Sequence, residues 1–380
     1  MPTDPVNLAP LQRVQRWHVW LLVWRVHRWL GLSAGLLLVL LSATGSLLVV
    51  HHELEAWLEA DRRTAPAAAP GTPTVPLADL ARTVAARAPA GHRLFRIFPA
   101  ETPAATHKVL TVGPDQKTRW AFFVAPATGE IVWQGRDLDL LTPWLLGLHM
   151  QLHAGDGGYV ITGLAGIVLV LLALTGLYLH RDRLAQLWRH PFRLRLGWRV
   201  ALSDLHKWIG ILTLYFPLVL GVTGTLYCWR ILAAPDPAEI KTPFDPARLP
   251  AIEPLLAAAR AALPEAEVLR VQLPAQAGGA LTVLLLHREA PPWQKFSRAD
   301  FDPATGRLRT LRLARDLPAG DQFASMLAPL HFGFYGATWV KWAYCLGGLA
   351  PAGLALTGAG LWWVRRRKGG TDGTQTRKAP

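Results

Sequence analysis

Four apolar runs interrupt the chain, at about Trp29–Val50, Tyr159–Leu179, Trp208–Trp229 and Trp339–Val364, and each is flanked by arginine or lysine at one end. At 1.5 Å per residue each predicts a helix able to cross the roughly 30 Å hydrocarbon core of a bilayer. Between runs one and two the pattern changes. Ala/Pro-rich sequence leads into an amphipathic helix, LADLARTVAARAP, followed by the alternating stretches HRLFRIF, HKVLTV, RWAFFV and EIVW. The last two are separated by Pro126-Ala127-Thr128-Gly129, a turn signal, so this stretch predicts a small α+β module. The pattern recurs between runs three and four, where EPLLAAARAALPEAEVLRVQLP echoes the helix and first strand, and Asp302-Pro303-Ala304-Thr305-Gly306 echoes the turn.

The predicted fold class is therefore a membrane protein, mainly α: a four-transmembrane-helix bundle with two α+β modules and an internal two-fold repeat. Its segments are a cytoplasmic N-terminal stretch (1–28), helix 1 (29–50), module 1 (53–147), helix 2 with an outer extension (148–180), a basic loop (181–207), helix 3 (208–229), module 2 (231–329), helix 4 with an outer extension (330–364) and a basic tail (365–380). Arg13, Arg16, Arg25 and Arg28 before the first run mimic a signal peptide. That run is too long for a signal core, however, and is expected to stay as an uncleaved helix.

Charge adds orientation. The chain carries 40 Lys and Arg against 26 Asp and Glu, and the basic residues crowd the N-terminus, the 181–207 loop and the C-terminus. The positive-inside rule places those segments in the cytoplasm and both modules on the other side, the periplasm of a bacterial inner membrane. Basic residues without a basic–aromatic motif exclude nucleic acid as the expected partner, leaving the lipid bilayer. The two cysteines, Cys228 and Cys345, form no CxxC pair and are too few for an iron–sulfur cluster.

The repeat carries the chemistry. His27 opens HRWLG, with SATGSL near the other end of its run; about 180 residues later His206 opens LHKWIG, with GVTGTL in the matching place. His27 and His206 each have a glycine at i+4, Gly31 and Gly210, on the same helical face. A flat macrocycle against a helix needs such an opening, and two neutral imidazoles from different helices make an axial pair for a low-spin b haem. Helix-end histidines at headgroup level, with the glycines serving helix packing, are the plainer explanation.

A second pair, His149 and His331, precedes runs two and four in LLGLHMQLHAG and LAPLHFGFYG, and is expected to ligate a second haem b. His153, at i+4 from His149, shares its face if the helix continues and either replaces it or bonds nearby. HMQLH lacks the glutamate of a zinc protease. The Thr-Gly pairs at 44–45, 175–176, 223–224 and 357–358 are expected to leave room beside the two haems, though ordinary small-residue helix packing explains their glycines too. Lys341, at the edge of run four, either snorkels outward or pairs with a haem propionate or an anionic substrate. His51 and His52 are expected at the interface, and the other histidines in solvated or strand positions.

HRWLG with SATGSL, LHKWIG with GVTGTL, the Leu-His openings of helices 2 and 4, and the two strand-PATG-strand stretches resemble the PepSY-associated transmembrane family over nearly the whole chain. Within it the likeness is to inner-membrane ferrisiderophore reductases of the FoxB type. That resemblance implies PepSY-like modules in the periplasm, two b haems, an oxidoreductase that reduces an Fe(III)-siderophore to Fe(II), and a separate cytoplasmic or quinol electron donor. A haem protein serving a quinone or a periplasmic protein is the first alternative; a non-enzymatic, membrane-anchored PepSY regulatory or binding protein is the second.

Overall fold

The structure, a computed structural model, describes residues 9–69, 71–183, 193–235 and 239–371. They fall into two compact units, one made of 1–49, 149–232 and 342–380, the other of 50–148 and 233–341. Parts of the expected N-terminal segment, basic loop and basic tail lie outside the described residues, His190 among them.

The first unit is helical. Helix α1 (Ala9–Val49) packs against α6 (Gly155–His180) and α12 (Ala350–Thr371); α6 runs along α8 (Tyr215–Leu232), and α7 (Trp198–Leu212) lies on α12. Among the described residues four stretches are long and apolar enough to cross a membrane: Gln15–Val49, Gly155–His180, Tyr215–Leu232 and Thr338–Arg366. The protein is a multi-pass membrane protein. Helix α1 begins well before Trp29, so Arg16, Arg25 and Arg28 ride on the helix itself.

Three expected continuities are broken. Between α7 and α8 the chain turns at Thr213–Leu214, because Pro217 has no N–H to give the Thr213 carbonyl. The Phe216 N–H takes that carbonyl instead, at 2.9 Å, in a tighter turn. Helix α11 (Thr338–Gly348) ends before Leu349 for the same reason, with Pro351 following. Helix α5 (Leu141–Gln151) stops before α6, and Leu152 and His153 sit in the left-handed region at φ 52° and 53°. His149 and His153 therefore do not share a helical face.

Close approach of α6 and α8 depends on glycine. A Cβ on Gly166 would stand 2.8 Å from the Gly221 carbonyl oxygen, and one on Gly221 would stand 2.8 Å from that of Gly166. The backbones touch there, and Thr225 donates to the Gly163 carbonyl at 3.0 Å across the same contact.

The second unit holds one antiparallel sheet of eight strands: β1 (Arg93–Phe98), β2 (His107–Val112), β3 (Arg119–Val124), β4 (Ile131–Arg136), β5 (Glu267–Gln272), β6 (Leu281–Leu286), β7 (Phe296–Phe301) and β8 (Leu308–Arg312). The order is β4-β3-β2-β1-β5-β6-β7-β8. The stretches expected as separate modules thus give four strands each to a continuous sheet, joined where Arg96 faces Gln272 and Ile97 faces Val271. Helices α4 (Leu77–Arg87) and α9 (Ile252–Ala262) cover one face, burying Leu80, Val84, Ile97, Phe122, Ile252, Val271 and Phe301. Both PATG turns form as read. Gly129 and Gly306 take positive φ of 72° and 69°, which a side chain would strain, and they close β3–β4 and β7–β8. The short helices α2 (His51–Leu58) and α3 (Ala60–Arg63) and the helix α10 (Ala319–Phe332) complete this unit.

Candidate functional site

Within the helical unit a cavity of about 610 Å³ opens between α1, α6, α7 and α12. Its walls are mostly leucine, alanine and tryptophan, with His27 and His206 among them. The two imidazole centres are 6.3 Å apart and the ring planes stand at 90°.

Each ring is oriented by a threonine on a different helix. His27 Nδ1 lies 2.9 Å from Thr175 Oγ1, and His206 Nδ1 lies 2.8 Å from Thr357 Oγ1. Each hydroxyl donates its one proton to the carbonyl four residues back, Thr175 to Leu171 at 2.6 Å and Thr357 to Gly353 at 2.7 Å. The threonine oxygen is therefore left as acceptor, and the network assigns the ring proton to Nδ1. That leaves Nε2 of both histidines as a lone pair, the form in which imidazole binds a metal.

Glycine then makes room for the ring. A Cβ on Gly176 would meet His27 Cε1 at 3.4 Å, and one on Gly358 would meet His206 Cε1 at 3.6 Å. Each Thr-Gly pair positions a histidine by its first residue and accommodates it by its second.

His149, on α5, has the same surroundings. Its Nδ1 lies 3.0 Å from Thr44 Oγ1, whose proton goes to the Leu40 carbonyl at 2.8 Å, and a Cβ on Gly45 would reach 2.8 Å from its Cε1.

One end of the cavity is cationic. Arg28, Lys207, Arg365 and Arg366 line it together with His180, and among the described residues no acidic side chain does. The Arg28 guanidinium lies over Trp24 at 4.6 Å and Trp29 at 5.1 Å, while its Nε is buried with no hydrogen-bond acceptor among the described residues. Gly31 and Gly210 also line the wall. A methyl there would meet only Leu172 Cδ2 at 3.7 Å or Leu354 Cδ2 at 3.6 Å, ordinary contacts, so packing within the chain does not demand glycine.

Residues 24–365 match the model of the PepSY-associated TM region family. The chain belongs to that family. It is similar to a Pseudomonas aeruginosa protein described as uncharacterized protein PA4219, 31% identical over 257 residues. The match takes in 60% of this chain and spans 64% of that relative's length.

The remaining expected residues of this PepSY-associated protein lie on other elements. His331 lies in the last turn of α10, in the sheet-bearing unit, with its ring edge-on to Phe332 at 5.4 Å. His153 is exposed beyond the end of α5. The Lys341 ammonium is hydrogen-bonded to both carboxylate oxygens of Glu53, 2.6 Å from Oε2, so its partner is a protein carboxylate. The rings of His51 and His52 lie 4.0 Å apart, tilted by 34° to each other. Among the described residues no three His, Cys, Asp or Glu side chains converge as a metal site.

Sequence reasoning identified the Thr-Gly pairs as spacers but missed the threonines as histidine partners. His180, expected in solvated or headgroup contact, also lines the cavity. Repetition of Thr-Gly on all four helices was the available signal.

Proposed function

We propose that this membrane protein carries b haem between His27 and His206 and passes electrons through it. The observation that carries this reading is the pair of imidazoles 6.3 Å apart, each with its Nδ1 engaged by a threonine. Two imidazoles bound to opposite sides of one metal ion stand about 6 Å apart centre to centre, taking a bond of about 2 Å on each side. The cavity falls in the usual range of about 300–1,000 Å³ for cofactor pockets. Its cationic end, with Arg28 Nε lacking an acceptor, suits the propionates.

The haem would supply a one-electron Fe(III)/Fe(II) couple. The chain's own residues perform the rest. Thr175 and Thr357 hold the imidazoles in one tautomer and one orientation, and a hydrogen-bonded Nδ1–H raises the basicity of the ligating nitrogen. Apolar walls exclude water and Gly31 and Gly210 leave the flanks open. Arg28, Lys207, Arg365 and Arg366 neutralise carboxylates at one end.

His149 has the same threonine–glycine surroundings, which supports it, in preference to the exposed His153, as one ligand of a second haem; His331 is the repeat-matched partner proposed for it. The internal repeat belongs to the same reading, as do a bacterial inner-membrane location, cytoplasmic termini and a periplasmic sheet unit. Reduction of an Fe(III)-siderophore, with electrons from a separate cytoplasmic or quinol donor, is the narrower proposal and rests on family resemblance. A quinone or a periplasmic protein as acceptor uses the same haem geometry.

The family match and the membrane spans directly support a coarser reading, a membrane-anchored PepSY binding or regulatory protein. Optical spectra of the detergent-purified protein, oxidised and reduced, with haem quantified per chain, separate the two. Low-spin b bands that lose one haem per chain in His27→Ala and in His206→Ala support the haem protein, and a colourless wild type supports the binding module. Rapid reoxidation of the reduced protein by a ferric siderophore selects the reductase.

A further inference from the structure

The sheet face turned away from α4 and α9 carries a cationic cluster used by neither the fold nor the haem reading. The central strands β1 and β5 are irregular at matching places, between Leu94 and Arg96 and between Val268 and Arg270. A bulge puts two successive residues on one face, so Arg96 leaves the face on which Leu94 and Ile97 are buried. Three guanidiniums gather on one ring: those of Arg93, Arg96 and Arg119 lie 5.9, 4.2 and 5.4 Å from the centre of Phe95.

Elsewhere in this unit arginines meet carboxylates, as Arg63 meets Glu59, Arg288 meets Glu267 and Arg309 meets Asp302. Here the partners are neutral. Arg93 donates to Gln116 Oε1 at 2.6 Å and Arg96 to Gln272 Oε1 at 2.7 Å, while Arg93 Nε is buried with no acceptor among the described residues. Among the described residues no carboxylate comes within ion-pair distance of Arg93, Arg96 or Arg119; nearby Asp137 is held by Lys108 at 3.2 Å. Burial, with the charges of Arg270 and Arg119 adding to it and Asp137 opposing it, pulls the Arg96 guanidinium down to about 10. Like charges crowded on one aromatic ring repel, and an anion placed among them relieves that cost.

We propose that this face binds a small polyanion with carboxylate or phosphate oxygens, walled by Arg93, Arg96, Arg119 and Arg270 and floored by Phe95. Planar guanidiniums bond such oxygens two at a time, and the ring fixes the guanidinium planes. The site stands independently of the haem reading.

The test is calorimetric titration of the full-length protein, in neutral detergent at low ionic strength, with citrate, with inorganic pyrophosphate and with uncharged glycerol. Saturable binding of either anion is expected, with none for glycerol. Raising the salt weakens it, and Arg96→Gln and Arg119→Gln each lower affinity by about tenfold or more. Arg309→Gln, at a paired arginine, leaves it unchanged. Arg119 is exposed, so its variant keeps the argument testable should Arg96→Gln misfold. Absence of saturable binding by both anions, or equal affinity in wild type and Arg119→Gln, overturns the proposal.

Discussion

Thr175 Oγ1 lies 2.9 Å from His27 Nδ1 and 2.6 Å from the Leu171 carbonyl oxygen, so one hydroxyl spends its proton inside its own helix and receives another from a neighbouring one. Thr357 does the same for His206, and Thr44 for His149. A threonine mid-helix is ordinarily a weak helix former that bonds back to i−4. Here that habit fixes the tautomer of a histidine.

Thr175→Val and Thr357→Val keep the side-chain shape and remove the acceptor. Each is expected to leave the protein folded while weakening haem retention by about 10–100-fold, the usual cost of losing a partner behind a metal ligand. Haem per chain after detergent purification measures this. Full occupancy with unchanged spectra in both variants would show that the threonines merely fill space.

The glycines should rank by the room they leave. Gly45→Ala puts a Cβ 2.8 Å from a ring atom of His149 and must displace that ring, whereas Gly176→Ala, at 3.4 Å from His27, asks for a small shift. Gly31→Ala meets only a leucine methyl at 3.7 Å, so the haem-free protein should tolerate it and haem uptake should suffer. Thermal unfolding without haem, set beside haem content, separates these cases. Gly221→Val clashes with the α6 backbone and should destabilise the helical unit by about 1–3 kcal/mol.

Hydropathy made the four membrane-crossing stretches legible, and glycine turn chemistry made the two PATG hairpins legible, because both signals are local. The break at Thr213 was also written in the chain: Pro217 sits where a continuous helix needs an N–H. A long apolar run masked it. The seam between β1 and β5 was not legible, since the alternation within a strand says nothing of its neighbour. Nor could the spacing of His27 and Thr175 reveal their bond, which depends on how α1 crosses α6.

Glu59 is a buried carboxylate. Arg63 donates to it at 2.9 and 3.0 Å, and the Leu141 N–H at 2.8 Å, tying α3 to the start of α5. Glu59→Ala leaves Arg63 with one carboxylate fewer and the Leu141 N–H without an acceptor. A loss of about 3 kcal/mol is expected in denaturant unfolding of the full chain.

Acid should loosen the sheet unit. Burial holds His107 below the ordinary histidine value of 6.5, and its neutral Nδ1 accepts the Ala100 N–H at 2.9 Å. His92 and His287 are lowered by burial as well. An unfolded chain binds these protons near pH 6.5 while the folded one resists. Stability is therefore complete above that pH and falls as pH drops through it. The unfolding temperature of the full-length protein should decline between pH 7.5 and 5.5, and less steeply in His107→Gln.

Lys341→Ala should change little. Its ion pair with Glu53 is largely exposed, and such pairs contribute about 0–1 kcal/mol. Haem content equal to wild type is expected. A large haem loss would restore a propionate as its partner.

The single sheet constrains how the protein is made. Strand β1 has β2 beside it at once, but its other neighbour, β5, is synthesised only after residues 99–266, a span that includes α6, α7 and α8. Throughout that interval the first four strands present a raw edge, the kind that recruits strands from other molecules. Arg96 sits at the seam position itself, and a charge on an exposed edge is a common device against such pairing. Chains arrested before β5 should consequently associate with one another through β1, and the finished protein should not.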